Sequence, residues 1–257
     1  MREAVHFTFD NISSEDMGVH IISLGEGLFQ ESFLPRRSIV EQRVANQNKP
    51  YHTRVDIEPL AFTLRVFISE WRERNNLRQI ARWLFQPYYK PLTFDTKPGF
   101  ILYAMVEGDS TLTHNGAKDG YFDINIRCNS PFMYSPATTT DIVQSRTSTT
   151  NHYSIYNEGD FVIKPKVWIT KKIANGSISI INDTTDQTTT LTNLQFNEEI
   201  FIDFENEEII SSLENVNVYR YANHNNVWLE FQLDSNSLRF IGDFDIYFEY
   251  EFVYLAE

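Results

Sequence analysis

An enzyme must bring nucleophiles, bases or metal ligands together, so the residues able to supply them are the first to examine. The 257-residue sequence holds one cysteine and six histidines. Cys128 follows Phe122, Ile124 and Ile126 at period two, the placement of a core thiol. A nucleophilic cysteine needs a nearby base and an electropositive setting, and nothing in the sequence supplies them. His6, His20, His52, His114, His152 and His224 are scattered, without the His-x3-His pair of a helical zinc site, and a lone thiol excludes the thiolate zinc classes. Carboxylates crowd the second half at Asp203, Glu205, Glu207, Glu208, Asp243 and Asp245. Glycoside hydrolysis needs two of them at a defined separation in a cleft. The stretch from Asp203 to Glu208 lacks the glycine and alternating ligands of an EF-hand loop. Gly25-Glu-Gly27 lacks the third glycine and following helix of a dinucleotide fingerprint. No P-loop and no G-x-S-x-G is present. Trp168 and Trp228 would form a sugar platform if exposed, core or edge packing being the plainer reading. No catalytic residue, cofactor site or metal site is assigned, and the chain is expected not to be an enzyme.

The elements that would position any site are mainly strands. In Phe244–Tyr254 the apolar residues fall at every second position, the alternation of a strand with one dry and one wet face. Hydrophobic residues make up 42% of the chain and aromatics 14%, enough for packed cores. No run of about 18 apolar residues exists, so no membrane span is expected. Met1-Arg-Glu-Ala-Val-His-Phe7 has no apolar region of a secretory signal. With a single cysteine no internal disulfide forms.

Charge divides the chain. The formal net charge is -13, but residues 1–134 carry 15 Lys and Arg against 16 Asp and Glu, a net of −1, and the rest carry 7 against 19, a net of −12. Nucleic-acid recognition by the second half is excluded on that balance, because phosphate contacts need clustered Lys and Arg. The seam lies in Ser135–Asn151, rich in Ser and Thr and poor in large apolar residues. Two domains are expected, residues 1–135 and 136–257.

In the first domain, strands are expected at Val5–Phe9, Val19–Leu24, Leu60–Ile68, Leu92–Phe94, Phe100–Val106 and Tyr121–Cys128. Asn115-Gly116 and Asp119-Gly120 mark turns. One helix is expected, capped by Asn75 or Asn76, with Leu77, Ile80, Ala81 and Leu84 on its buried face, ending before Pro87. Ser69–Arg74 would add a turn upstream. Arg74, Arg78 and Arg82 are spaced by four and share one helix face, where like charges oppose one another. That face is either solvated or pressed against an acidic neighbour. The second domain reads as strands alone: Phe161–Ile163, Val167–Ile169, Ser177–Ile181, Thr188–Leu191, Glu199–Phe204, Val216–Tyr221, Val227–Leu233 and Phe244–Tyr254, the pattern of a β-sandwich.

The order of these features resembles the distal tail proteins (Dit) of siphophages, the long non-contractile tailed phages. The Phe-rich opening Phe7-Thr-Phe-Asp-Asn-Ile-Ser-Ser-Glu-Asp-Met-Gly-Val19 is similar to that family's first strand, turn and second strand. So are the long strand Leu60–Ile68, the Trp-Leu helix end at Trp83-Leu84, the strand Pro91-Leu-Thr-Phe94 and the corner Pro131-Phe-Met-Tyr134. Asn157-Glu-Gly-Asp-Phe-Val-Ile-Lys-Pro165 is similar to the start of the family's C-terminal sandwich. The resemblance implies a ring-forming N-terminal β domain with one packed helix and a C-terminal galectin-like, jelly-roll-type β-sandwich. It implies a structural hub at the virion tail tip, assembled in the bacterial host cytoplasm: a homo-oligomer, usually a hexameric ring, between the tail tube protein, the tail-tip or tail-fibre protein and the receptor-binding protein. Under this reading the polar, mixed-charge stretch 36–58 is the candidate ring contact, as an extended arm or β-hairpin carrying Arg36, Arg37, Glu41, Arg43, Lys49, Arg54, Asp56 and Glu58. Arg74, Arg78 and Arg82 are candidate partner contacts. The alternative is a carbohydrate-binding adhesion module acting on a host cell wall.

Overall fold

Residues that alternate in polarity settle into strands with one face buried, and that pattern governs both parts of this molecule. The computed structural model describes residues 4–22, 36–68, 74–114, 119–147 and 151–256. The chain divides into two units, Met1–Tyr134 with Leu255–Glu257, and Ser135–Tyr254.

The first unit contains β1 (Phe7–Phe9), β2 (Ile12–Ser13), β3 (Val19–Ile21), β4 (Arg37–Gln42), β5 (Tyr51–Ile57), β6 (Ala61–Ile68), α1 (Arg74–Leu84), β7 (Lys90–Phe94), β8 (Lys97–Val106), β9 (Thr113–His114), β10 (Gly120–Cys128) and β11 (Phe132–Tyr134). Its main sheet runs β2-β1-β7-β8-β10-β6-β3. β6 pairs with β10 over its whole length, setting Leu64 opposite Ile124 and Val66 opposite Phe122. Their inward side chains Leu64, Val66, Ile124, Ile126 and Cys128 are buried with Phe7, Phe9, Leu92 and Leu102.

Helix α1 is tied to this sheet by Trp83. Its ring stacks on Phe7 at 5.4 Å, and its indole N–H donates to the Phe9 carbonyl at 2.8 Å. The helix begins at Arg74, so the expected caps Asn75 and Asn76 lie inside it. Ile80, Trp83 and Leu84 form the buried stripe, Leu77 is half-buried and the expected Ala81 is exposed, a rotation consistent with the indole bond to Phe9. The expected turn over residues 69–73, the end of the strand at Ser23 and Leu24, Gly25-Glu-Gly27 and the Asn115-Gly116 turn lie outside the described residues.

The second unit contains β12 (Thr138–Thr139), β13 (Val143–Ser145), β14 (Asn151–Asn157), β15 (Lys166–Lys171), β16 (Gly176–Asn182), β17 (Gln187–Leu194), β18 (Glu199–Asp203), β19 (Glu208–Ser211), β20 (Asp234–Ile241) and β21 (Phe244–Tyr250), and the last strand, β22 (Val253–Leu255), spans the boundary at Tyr254. Two sheets face each other as a β-sandwich. One runs β12-β21-β15-β18-β19 with β13 also on β21, and the other runs β14-β20-β16-β17. Val167, Ile169, Ile202, Phe244, Ile246 and Phe248 from the first meet Ile178, Ile180, Leu191, Leu238 and Phe240 from the second in one core. Asn157 and Gly159 shape the entry to β15. The Asn157 side chain accepts from the Gly159 N–H at 3.0 Å and donates to the Phe161 carbonyl at 2.8 Å. A Cβ at Gly159 would stand 2.7 Å from the Val253 carbonyl, so only glycine fits.

Four expected strands are corrected. Phe161–Ile163 is not a strand, and only Ile163 makes an isolated bridge, to Phe231. Val216–Tyr221 is not extended: short 3-10 turns occupy Glu214–Val216 and Tyr221–Asn223. Val227–Leu233 alternates and buries Leu229 and Phe231, yet its only ladder contact among the described residues is the bridge from Phe231 to Ile163. Side chains replace the ladder there: Gln187 accepts from Glu230 N–H and Asn236 from Gln232 N–H. The terminal row breaks after Tyr250, where Ser135 bonds both backbone groups of Phe252. Strand β20 escaped the sequence reading because its buried Asn236 reads as polar. That side chain is satisfied by Asn182, Gln232 and Asp234 in a closed network.

A buried ion pair guards the edge of the first sheet. Arg220 Nε and Nη2 donate to Glu198 at 2.6 and 2.7 Å, and the Gln195 N–H and the Ser211 hydroxyl bond the same carboxylate. The pair anchors the segment after β19, and the Tyr221 hydroxyl from that segment accepts the Ile209 N–H at 3.1 Å. An unpaired edge strand invites pairing with other chains, and this segment covers it. Burial pushes the Glu198 carboxyl up, but the bonds from Arg220, Gln195 and Ser211 outweigh it and hold it below the ordinary value of 4.5.

Removing one partner of a buried pair leaves an uncompensated charge, so Arg220→Ala is expected to cost about 3–5 kcal/mol of unfolding free energy. Denaturant titration monitored by Trp fluorescence checks it, and a loss within experimental error would contradict the anchoring role. His224 adds a pH dependence. It is buried beside Trp228, no described group bonds either ring nitrogen, and burial lowers it below 6.5, an effect that the Val227 backbone only partly offsets. The unfolded chain binds this proton first, so stability is full above the unfolded value and falls as pH drops below about 6.5. Glu198 adds its own loss only below its ordinary 4.5. The melting temperature should therefore fall between pH 7 and 5, and His224→Phe should flatten that part of the profile.

Candidate assembly surfaces

The charged stretch selected from the sequence is a β-hairpin. Strands β4 and β5 pair antiparallel, with Arg37 opposite Ile57, Ile39 opposite Val55 and Glu41 opposite His52, and a bulge between Val40 and Glu41. They form a two-stranded sheet of their own. Arg36 and Glu58 close its base at 3.7 Å, and Arg54 Nε bonds Asp56 at 2.7 Å. Arg43 and Lys49 lie exposed in the connection. The ion pairs are exposed, so each adds little stability.

What the charge pattern did not reveal is an apolar face. Ile39, Val55 and Ile57 share one side of the hairpin and are 64, 45 and 40% exposed. A two-stranded hairpin is marginal by itself, and an apolar row left in water marks a surface built to be covered. The period-two spacing of Val55 and Ile57 was the available signal, and the surrounding charges masked it.

Helix α1 presents the second predicted set. Arg78 and Arg82 are exposed on the face opposite Ile80 and Trp83, and the Arg74 side chain lies outside the described residues.

Among the described residues no cluster of three His, Cys, Asp or Glu side chains could hold a metal ion. A cleft of about 650 Å³ lies beside β6 and β10, lined by Thr63, Arg65, Thr111, Tyr121, Asp123 and Asn125 among others. Arg65 donates twice to Asp123, at 2.8 and 3.1 Å, and holds its carboxyl below the usual range. Thr63 donates to Asn125 at 2.8 Å. Of the two carboxylates that line the cleft, Asp109 and Asp123, the latter is thus engaged by Arg65.

Both tryptophans singled out as a sugar platform are half-buried and in contact with neighbouring rings. Trp168 stacks on Tyr247 at 5.0 Å and 3°, and Phe201 packs against it at 5.0 Å from the neighbouring strand. Trp228 packs on Phe204 and His224. Sugar stacking uses a ring face, and one face of Trp168 is taken by Tyr247.

Burial pushes the Cys128 thiol up to about 12. The thiolate is the reactive species, so the native chain should resist alkylation at pH 8 and react only once denaturant unfolds the first unit. Rapid native labelling, read by mass spectrometry, would contradict the buried placement.

Comparison with known proteins follows the same division of the chain. Residues 2–130 match the family described as phage tail protein N-terminal domain, and residues 132–250 match the phage tail C-terminal domain. The SPbeta prophage-derived protein YomH of Bacillus subtilis strain 168 is 31% identical over 256 residues, covering 99% of this chain and all of the relative. Among solved structures, the Dit protein of phage SPP1 aligns with a TM-score of 0.67 at 14% identity, over 96% of this chain and 98% of that one. A chain of the phage P2 baseplate in its activated conformation aligns at 0.55 and 7% identity, over 96 and 97%. These similarities show the fold.

Proposed function

This chain belongs to the family of phage tail proteins, and from that membership we propose that it is a structural hub of the tail tip, working by assembly and not by catalysis. The observation that carries the reading is the hairpin β4–β5, a two-stranded sheet with its apolar face in water. A second copy of the chain is the natural cover. Head-to-tail contact between unlike patches closes into a ring when the rotation per copy allows it, and an extended hairpin adds readily to a neighbour's sheet or face. Arg36, Arg37, Glu41, Arg43, Lys49, Arg54, Asp56 and Glu58 then set the register of that contact, while Ile39, Val55 and Ile57 supply its buried area.

Under this proposal the first domain, residues 1–135, forms the ring, a hexamer continuing the tail tube. The second, residues 136–257, is a galectin-like sandwich that attaches the tail-tip and receptor-binding proteins outside. Its net of −12 keeps copies apart by like-charge repulsion. The fold shared with SPP1 Dit, described as a paradigm of hub adsorption apparatus in phages infecting Gram-positive hosts, supports the hub reading. The family supports placement in the virion tail, and assembly in the host cytoplasm is part of the same proposal. The packing of Trp168 on Tyr247 and of Trp228 on Phe204 and His224 weighs against the alternative, a carbohydrate-binding adhesin.

Size exclusion with light scattering, and negative-stain images of the peak, tests the proposal. The purified chain is expected to form a closed ring of about six copies. Ile39→Asp combined with Val55→Asp should leave the chain folded, each exposed change costing within about 0.5 kcal/mol, and yield monomers. Rings of unchanged size and stability in the double variant would overturn the hairpin's role.

A further inference from the structure

We propose that the C-terminal end of α1 is a docking knob for a second tail protein, one that presents an apolar socket rimmed by carboxylates. The inference rests on the tail-assembly reading and adds a surface and a partner chemistry to it. Phe85, Tyr88 and Tyr89 are 90, 74 and 41% exposed. Aromatic side chains this large usually contribute to cores, and three of them in five residues stand in water here.

The segment that carries them is held firmly. The Phe85 N–H still bonds the Ala81 carbonyl at 2.9 Å, continuing the helix, and the Gln86 N–H bonds Leu84 at 3.0 Å. The Gln86 side-chain amide donates to the carbonyls of Arg82 and Trp83 at 3.1 and 3.0 Å. Pro87 restricts φ, and Lys90, opening β7, is paired with Asp10 at 3.1 Å. Rings presented on such a frame lose little freedom on binding, which favours affinity.

Charge identifies the occupant. Arg78, Arg82 and Phe85 follow one another at i, i+4 and i+7, so they share one face of the helix, opposite the buried Ile80 and Trp83. Among the described residues neither guanidinium is in an ion pair. Tyr and Arg are the residue types enriched at interface hot spots, and two cations beside an apolar knob are complemented by an apolar pocket with acidic edges. The hairpin of a second copy is not that complement. Residues 36–58 carry five Lys and Arg against three Asp and Glu, the same sign as the knob.

Hydroxyl-radical footprinting of the purified chain, of its isolated ring, and of tails purified from the virion tests this. Phe85, Tyr88 and Tyr89 should be oxidised in the free chain and in the ring, and protected in the tail. Equal oxidation in ring and tail overturns the proposal; protection already complete in the ring reassigns the knob to a second copy and overturns it too. Arg78→Glu with Arg82→Glu, exposed changes that leave the core intact, should still form rings but retain the adjoining tail protein about 30-fold less tightly. Unchanged retention by folded variant rings counts against the proposal. Absence of the chain from the tail altogether would instead defeat the hub reading.

Discussion

The first unit depends on one indole. Trp83 is the point where the helix meets the sheet: its ring lies on Phe7 and its N–H ends on the Phe9 carbonyl. A buried indole N–H without an acceptor is costly, so the hydrogen bond sets the rotation of α1 as well as its position. Once Trp83, Ile80 and Leu84 face inward, Arg78, Arg82 and Phe85 must face outward. The helix thus has two halves with different tasks, and the exposed half follows from the buried one.

The second unit rests on polar groups placed where a core would ordinarily be apolar. Asn182 and Asn236 sit fully buried and satisfy each other and the 230–236 backbone. Glu198 and Arg220 are buried together and hold the segment that shields β19. A buried ion pair is weak evidence for net stability, but a geometry with every oxygen bonded specifies one conformation for the chain around it. Here that chain is irregular, so the pair does what a ladder of backbone hydrogen bonds does elsewhere in the sandwich.

Interaction surfaces are harder to recognise than catalytic centres because their signature is exposure. The hairpin β4–β5 and the 85–89 segment differ in shape and in chemistry: one is a flat aliphatic row framed by mixed charge, the other a raised aromatic cluster beside cations. Two unlike exposed surfaces on one unit fit the proposed hub, which would contact its own copies and other proteins together. A single self-complementary patch would instead give a two-fold dimer.

Much of this was legible in the residues themselves. Period-two alternation placed β6, β10, β15 and β21, and a 3.6-residue period placed α1, because a side chain's direction is dictated locally by the backbone. The period-two spacing that put Cys128 in the core was legible for the same reason. The hairpin's position was readable too, from mixed charge between strands. Tertiary structure decided the rest. Val227–Leu233 alternates like a strand, yet Gln187 and Asn236, distant in sequence, claim its N–H groups. Strand β20 looks polar because the partner that satisfies Asn236 lies 54 residues away, in β16. Whether Ile39, Val55, Phe85 and Tyr88 are covered or bare depends on which other elements reach them. Local sequence sets where a side chain points, but only the folded chain sets what it meets there.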